Sequence, residues 1–514
     1  MGSATIILMV ITIFSKLTGL LREMFTSAYL GTSALADVYS TAANIPYTIF
    51  GFILAGVGTS FIPIYNKIKH EKGVKYADRY TSNLANILVI VSVLVIGLIY
   101  LLAPFMVKLF AAGYSPNKAK LTVQFTRIIS LATLTSVVSS VYIAYLNLKG
   151  SFTVPALTGV FMNVFHIITF VVAYKLNNFF IIAYGYVLAD IFKYALFPRT
   201  LRKNNYKHRF IMDLSDPNIK LMIKMSIPII LSIASVDLGT IVDQSLASLI
   251  DKGSHGAVSS LRYSILILQL ISGVIVVSIA TAMYPKISAY AAENKNKLLK
   301  KTLMQNVIFG QLLVIPSMVG LMVLAKPTVS LILERVNFDA ESTSITAMAL
   351  FYYLPSLFGS TITDLMVRGF FAQRNIMTPV WVSVIQQSVN VMLSIILSEF
   401  MGIAGLALAT SISSFVGAVV VIYLFRKKYG KISLKGFMVS NIKIIIASLI
   451  MGIFTNLTYN LLSGHGRLIP FVLSILVSIV VYGIIILFMR IPEVRRTLFH
   501  LLKKRKKRTG GTTK

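Results

Sequence analysis

Long apolar runs separated by short polar ones repeat along the whole chain. Segments long enough to cross a hydrocarbon core of about 30 Å fall at 4–29, 34–65, 81–112, 120–147, 152–174, 178–198, 218–250, 256–290, 298–333, 340–372, 376–400, 402–426, 437–461 and 467–490. The pattern predicts an all-α integral membrane fold of about fourteen transmembrane helices. Several spans exceed a straight crossing, which implies tilt or extension into the interface.

The polar breaks carry a second pattern. Lys67, Lys69, Lys72, Lys75 and Arg79 follow the second span, and Lys193, Arg199, Arg202, Lys203, Lys207 and Arg209 fall at or beyond the end of the sixth. Lys286, Lys295, Lys297, Lys300 and Lys301 follow the eighth, and Arg426, Lys427, Lys428, Lys431 and Lys435 the twelfth. The tail holds Lys503, Lys504, Arg505, Lys506, Lys507 and Arg508. Every basic run thus follows an even-numbered span. The positive-inside rule then places both termini in the cytoplasm of a multi-pass protein of the cell (inner) membrane. A miscounted helix would have thrown later runs onto the opposite side.

Composition agrees with this reading. Hydrophobic residues make up 56% of 514 positions, charged residues 13%, and the mean hydropathy is +0.79. A formal charge of +32 in a soluble chain would point to nucleic acid. Here the charge sits in short runs beside long apolar segments, a distribution suited to anionic lipid and not to nucleic acid. The absence of cysteine excludes disulfides, thiolate metal sites and cysteine nucleophiles. The first apolar run continues into Lys16 and Arg22 without a small-residue cleavage site, so it reads as a retained helix and not a signal peptide.

Internal similarity divides the helices. Thr59-Ser-Phe-Ile-Pro63 matches Thr281-Ala-Met-Tyr-Pro285; Lys149-Gly-Ser-Phe-Thr-Val-Pro155 matches Arg374-Asn-Ile-Met-Thr-Pro379; Gly185-Tyr-Val-Leu-Ala189 matches Gly405-Leu-Ala-Leu-Ala409. The partners lie 222, 224 and 220 residues apart, in order. An offset of six helices preserves membrane orientation, so the repeats are parallel and related by an axis along the membrane normal. The expected organisation is an N-terminal six-helix lobe (1–210), a second six-helix lobe (211–430), two further helices (431–490) and a basic cytoplasmic tail (491–514). Two such lobes suit a transporter in which rocking alternates access to a central cavity.

Ionisable residues at membrane depth are costly and mark candidate sites. Lys16, Gly19 and Glu23 share a face of the first helix, with Arg22 on an adjoining one. They read either as an anion-binding wall, with the Arg22 fork suited to phosphate, or as a Lys16–Glu23 pair serving packing alone. Asp37, early in the second helix, could partner this wall or cap its own helix, for which Ser33 is another candidate. Asp237 and Asp243 lie in helix 7, Asp364 and Arg368 in helix 10, and Gln386, Gln387, Asn390 and Ser394 in helix 11. Asp243 with Asn390, Ser394 and Thr410 would form an all-oxygen group for a hard cation such as Na⁺; Asp243 could instead carry a proton. The alternative is a buried polar cluster holding helices together. Asp364 and Arg368 are also spaced for an intrahelical salt bridge.

No phosphate loop of the G-x-x-x-x-G-K-[ST] type and no H-E-x-x-H motif occurs, and the six histidines are scattered. The chain therefore reads as a transporter and not an enzyme, with no bound cofactor expected.

Phe14-Ser-Lys-Leu-Thr-Gly-Leu-Leu-Arg-Glu23, followed by Ala36-Asp37 and Asn44-Ile-Pro46, resembles the opening of the MurJ lipid II flippases, within the multidrug/oligosaccharidyl-lipid/polysaccharide exporter superfamily. The likeness continues at Thr281-x-x-x-Pro285, at Arg368-Gly-Phe-Phe-Ala372 and at Thr378-Pro379. The resemblance implies translocation of the undecaprenyl-pyrophosphate-linked peptidoglycan precursor, lipid II, to the outer leaflet, driven by membrane potential or a Na⁺ or H⁺ gradient. It implies partners among membrane lipids and the cell-wall synthesis machinery. By motif, Lys16 stands where the family has a cavity arginine, Arg22 keeps its arginine, Glu23 replaces an aspartate and Asp37 matches an acidic position. Asp243, Asn390 and Thr410 fall where similar proteins have a sodium site, with Ser394 in place of an acidic ligand. Arg262 is the nearest match to a helix 8 arginine, about one turn early, and Arg368 completes the substrate-binding set. The family's helix 2 arginine has no counterpart, since Phe50 and Gly51 lie there. A flippase for another polyprenyl-linked glycan, from capsule, exopolysaccharide or spore envelope, is the alternative cargo reading. An ion-coupled drug exporter shares the architecture but would want an acidic cavity.

Overall fold

The computed structural model describes residues 3–250 and 256–489. The basic tail inferred at 491–514 lies outside the described residues, as does the side chain of Thr59. Those described residues form helices joined by turns and irregular links, the longest between Lys203 and Pro217, with no strand. In chain order the helices are α1 (Ser3–Leu30), α2 (Ala34–Lys72), α3 (Val74–Phe110), α4 (Pro116–Ser130), α5 (Ala132–Leu148), α6 (Thr153–Lys175), α7 (Phe180–Ala195), α8 (Phe197–Lys203) and α9 (Pro217–Ile250). They continue with α10 (Ala257–Ala292), α11 (Asn296–Val323), α12 (Ala325–Leu333), α13 (Ala340–Tyr353), α14 (Ser356–Ala372), α15 (Met377–Met401), α16 (Ile403–Tyr429), α17 (Leu434–Leu461) and α18 (Leu468–Phe488).

Among the described residues, 12 helical segments are long and apolar enough to cross a membrane, and α13 with α14, bent by 47°, makes up to 13. α1 is a helix of 28 residues, or about 42 Å at the usual rise, longer than the hydrocarbon core needs. Expected spans map onto helices one for one or as broken pairs. The fourth is α4–α5, the sixth α7–α8, the ninth α11–α12 and the tenth α13–α14.

The basic runs are more helical than hydropathy alone suggests. α2 extends to Lys72 and α3 begins at Val74, so Lys67, Lys69 and Lys72 ride on a helix that outruns its apolar stretch. Lysine is a good helix former, and outside the hydrocarbon its charge is solvated. Gly73 alone joins α2 to α3; its φ of 86° is one that side-chain-bearing residues avoid.

The chain forms two compact units, residues 1–260 with 333–342, and residues 261–332 with 343–514. In the first, α2 is central and packs on α3, α4, α5 and α9, while α1 lies along α6 and α6 along α7. One of its core clusters joins Phe50, Phe61, Tyr65, Tyr80, Tyr142, Tyr145 and Tyr206. Here Phe61 stacks on Tyr80 and Tyr65 meets Tyr145 edge-on. In the second, α14 and α15 pack on α16, α11 packs on α14 and α17, and α17 pairs with α18. Contact therefore groups α9 with the first unit, whereas the repeat counts it as the opening helix of the second lobe. The two divisions rest on different properties, packing and the spacing of sequence repeats.

Close helix approach in the second unit depends on small residues, as expected where no hydrophobic drive separates helix from lipid. A Cβ at Gly359 of α14 would stand 2.3 Å from the Ser414 carbonyl oxygen of α16, so only glycine fits without a shift.

Candidate functional site

α1 presents two different faces. Thr18, Glu23, Thr26 and Ser27 are buried, whereas Phe14, Lys16, Leu17 and Leu21 are exposed. Asn163 of α6 donates to the Ser15 carbonyl and to Thr18 Oγ1, both at 3.2 Å, which fixes α1 against α6. Glu23 pairs with its neighbour Arg22 and not with Lys16. Glu23 is 2% exposed and Arg22 29%. Burial of the carboxylate without a cation would be costly, so Arg22 is held by it while keeping part of its donor fork open. Lys16 makes no ion pair or hydrogen bond among the described residues and is exposed. The face thus offers one free ammonium and one partly open guanidinium.

Asp37 does not partner α1. Ser33 caps α2, accepting from the Ala36 amide at 3.3 Å, and Asp37 in the following turn is fully buried. Its Oδ2 accepts from Lys118 Nζ at 2.8 Å, and its Oδ1 accepts the Ser259 amide at 2.8 Å. Lys118 lies in the first turn of α4, 4.2 Å from the centroid of the Tyr114 ring, and the Tyr114 hydroxyl bonds Thr41 at 2.8 Å. Asp37 is therefore the centre of a buried lock on α2 and α4 that also reaches the start of α10.

Asp190 and His166 were not singled out in the sequence, and Lys193, counted there with the basic run after the sixth span, is instead buried within α7. Lys193 and Asp190 of α7 form a buried ion pair. Ser136 of α5 donates to Asp190 at 2.5 Å and accepts from Lys193 at 3.0 Å. His166 of α6 is buried, and its ring lies 4.9 Å from that of Tyr186. The rule that singles out charges at membrane depth applies equally to these positions. Lys118 had a different signal: an ammonium in the first turn opposes the helix dipole and needs a nearby anion.

In the second unit, the Arg262 guanidinium lies 5.4 Å from the Tyr263 ring centroid. Asp364 and Arg368 are one turn apart on α14, both exposed, with no direct ion pair between them. The expected cation ligands are brought together in part. Asn390 of α15 donates to Thr410 Oγ1 of α16 at 3.1 Å, and Thr410 donates to the Leu406 carbonyl at 3.2 Å. Ser394, one turn after Asn390, is buried. Asp243 is half-buried on α9, in the first unit. Because Asn390 spends an amide N–H on Thr410, its carbonyl oxygen remains an acceptor. The donor set is all oxygen, as a hard cation requires.

Comparison with known proteins adds the family. The profile described as lipid II flippase MurJ matches residues 26–482. A probable lipid II flippase MurJ of Rhizobium meliloti is 27% identical over 419 residues, covering 79% of this chain and 77% of its own. A solved lipid II flippase MurJ in an inward closed conformation superposes with a TM-score of 0.79 at 25% identity, covering 93% of this chain and 98% of that one. An inward-facing multidrug resistance MATE family transporter of the MOP superfamily shares the fold, with a TM-score of 0.67 at 17% identity over 83% of this chain and 98% of that one.

Proposed function

Because the chain belongs to the MurJ family of lipid II flippases, we propose that it carries lipid II from the cytoplasmic to the outer leaflet. The single observation that carries this reading is the family match across nearly all the membrane-spanning chain. The protein is an all-helical, multi-span membrane transporter, and its substrate is a lipid-linked glycan met within the bilayer. Its own residues suggest how the anionic end is handled. Lys16 and Arg22 of α1 offer donors to pyrophosphate, Glu23 orients Arg22, and Arg262 and Arg368 supply positive charge from the second unit. Asp37 acts as a structural lock. The basic runs put both termini in the cytoplasm, the leaflet where a cytoplasmically made precursor would load.

Asn390, Ser394, Thr410 and Asp243 are the oxygen ligands proposed for Na⁺, whose gradient would drive transport. Sodium-dependent transport should disappear in Asp243→Asn with protein level unchanged. Persistence of the full sodium dependence would remove this site. Rescue tests the main reading: in cells depleted of their lipid II flippase, this chain should restore growth. Well-expressed protein that fails to rescue would argue for another polyprenyl-linked glycan, the cargo reading that Phe50 and Gly51 favour, since they stand where the family has an arginine.

A further inference from the structure

The first unit contains a cavity of about 970 Å³ whose lining includes no residue of α1, walled by α3, α5, α7 and α8 and by the segment that follows α8. Its volume is at the upper end of the range for small-ligand sites. The walls are mostly apolar, including Val89, Ile90, Leu134 and Val138, while Arg202, Lys207 and His208 stand at its rim. Val89 and Ile90 belong to a face of α3 that is exposed along much of its length, through Val93, Leu94 and Leu98. In a membrane that face meets acyl chains.

The segment closing the cavity, 206–213, has no regular secondary structure but is firmly tied down. Tyr206 is buried among Tyr142 and Tyr145. Three polar residues of α3 then stitch the strap. Ser82 bonds the Tyr206 hydroxyl at 2.9 Å and accepts the Arg209 amide at 3.2 Å. Asn86 donates to the carbonyls of Arg209 and Ile211, both at 2.9 Å, and its Oδ1 meets His208 Nε2 at 2.9 Å. Asn83 exchanges two hydrogen bonds with the Asp213 backbone, at 2.8 and 2.7 Å. With the carbonyls of Arg209, Ile211 and Asp213 occupied, the strap turns apolar side chains outward. Phe210 is 96% exposed, with Met212 and Leu214 also exposed. An aromatic left fully open between Arg209 and the basic rim is the composition of a membrane-interface anchor.

We propose that this cavity binds an anionic phospholipid, with Arg202 and Lys207 on its phosphate and its acyl chains against the apolar wall of α3 and α5. Charge complementarity selects the occupant. A zwitterionic lipid cancels the attraction to the rim, and a small soluble anion gains nothing from the apolar walls. The strap lies on the side of the membrane that collects the basic runs, where anionic headgroups attract basic residues. The proposal is independent of the cargo, because none of these residues belongs to the pyrophosphate or cation sets.

The chain has a single tryptophan, Trp381 on α15, so a reporter can be placed cleanly. In a Trp381→Phe, Phe210→Trp protein in bilayer discs, brominated phosphatidylglycerol should quench fluorescence with about 25-fold stronger association than brominated phosphatidylcholine, given two basic rim residues. Arg202→Gln and Lys207→Gln should each weaken that association about 5-fold, while Lys427→Gln with Lys428→Gln should leave it unchanged. Thr135→Phe, which narrows the cavity and keeps every charge, should weaken it too. Equal quenching by both lipids, or an equal loss in the Lys427/Lys428 control, would overturn the proposal. So would displacement of the lipid by millimolar inorganic phosphate, which would assign the rim to a free anion.

Discussion

A carboxylate and an ammonium that are both withdrawn from solvent, as Asp37 and Lys118 are, depend on each other. Removing one leaves the other as an uncompensated buried charge, which costs about 3–5 kcal/mol, whereas replacing both by apolar groups costs far less. Asp37→Ala and Lys118→Met should therefore each lower the thermal unfolding temperature in detergent more than the pair Asp37→Leu with Lys118→Met. A double variant less stable than either single one would contradict the lock. The contrast with α1 is instructive. Lys16, Arg22 and Glu23 were legible as a set of charges at membrane depth, and the structure keeps two of them partly open. Which carboxylate pairs with which cation was not legible, because helical spacing fixes a face but not rotamers or neighbouring helices. Spacing allowed Lys16–Glu23; packing of α1 on α6 buries Glu23 and leaves it to Arg22.

At the scale of elements, hydropathy read the helices well because a hydrocarbon phase permits few alternatives. Breaks within spans were less visible. Pro198, Pro327 and Pro355 lie at or just after three of the four breaks, where a ring cannot continue the hydrogen-bond ladder. The break at Leu131 has no such marker. Close approach is tested at Gly359. Gly359→Leu should destabilise the second unit by about 1–3 kcal/mol through overpacking, seen as a lower unfolding temperature. Gly97→Ala, where a Cβ meets nothing within 4 Å, should be neutral or slightly stabilising. Equal behaviour of the two variants would remove the α14–α16 contact from the account.

The strap after α8 contains one pH-sensitive group. Partial desolvation holds the His208 imidazole below its usual pKa. The folded strap therefore takes up a proton less readily than the unfolded chain. Its contribution to stability is complete above the ordinary imidazole range and is lost as pH falls below about 6.5. Hydrogen exchange of amides 206–213, corrected for intrinsic chemistry, should show protection falling between about pH 7.5 and 5.5. His208→Gln should flatten that dependence; an unchanged slope would place the titrating group elsewhere.

For the whole molecule, the order of basic runs and the three repeat matches implied a transporter before any helix was seen in three dimensions. The all-helical fold, with 12 or up to 13 candidate spans among the described residues, matches that of a solved lipid II flippase MurJ. The cargo rests on the family and on two α1 cations, so the decisive measurement is lipid II itself. In cells depleted of their own flippase, lipid II accessible to an externally added lipid II-degrading enzyme should return to normal when this chain is expressed. It should stay low with Arg22→Ala at equal protein level. Unrestored outer-leaflet lipid II with abundant wild-type protein would contradict the account.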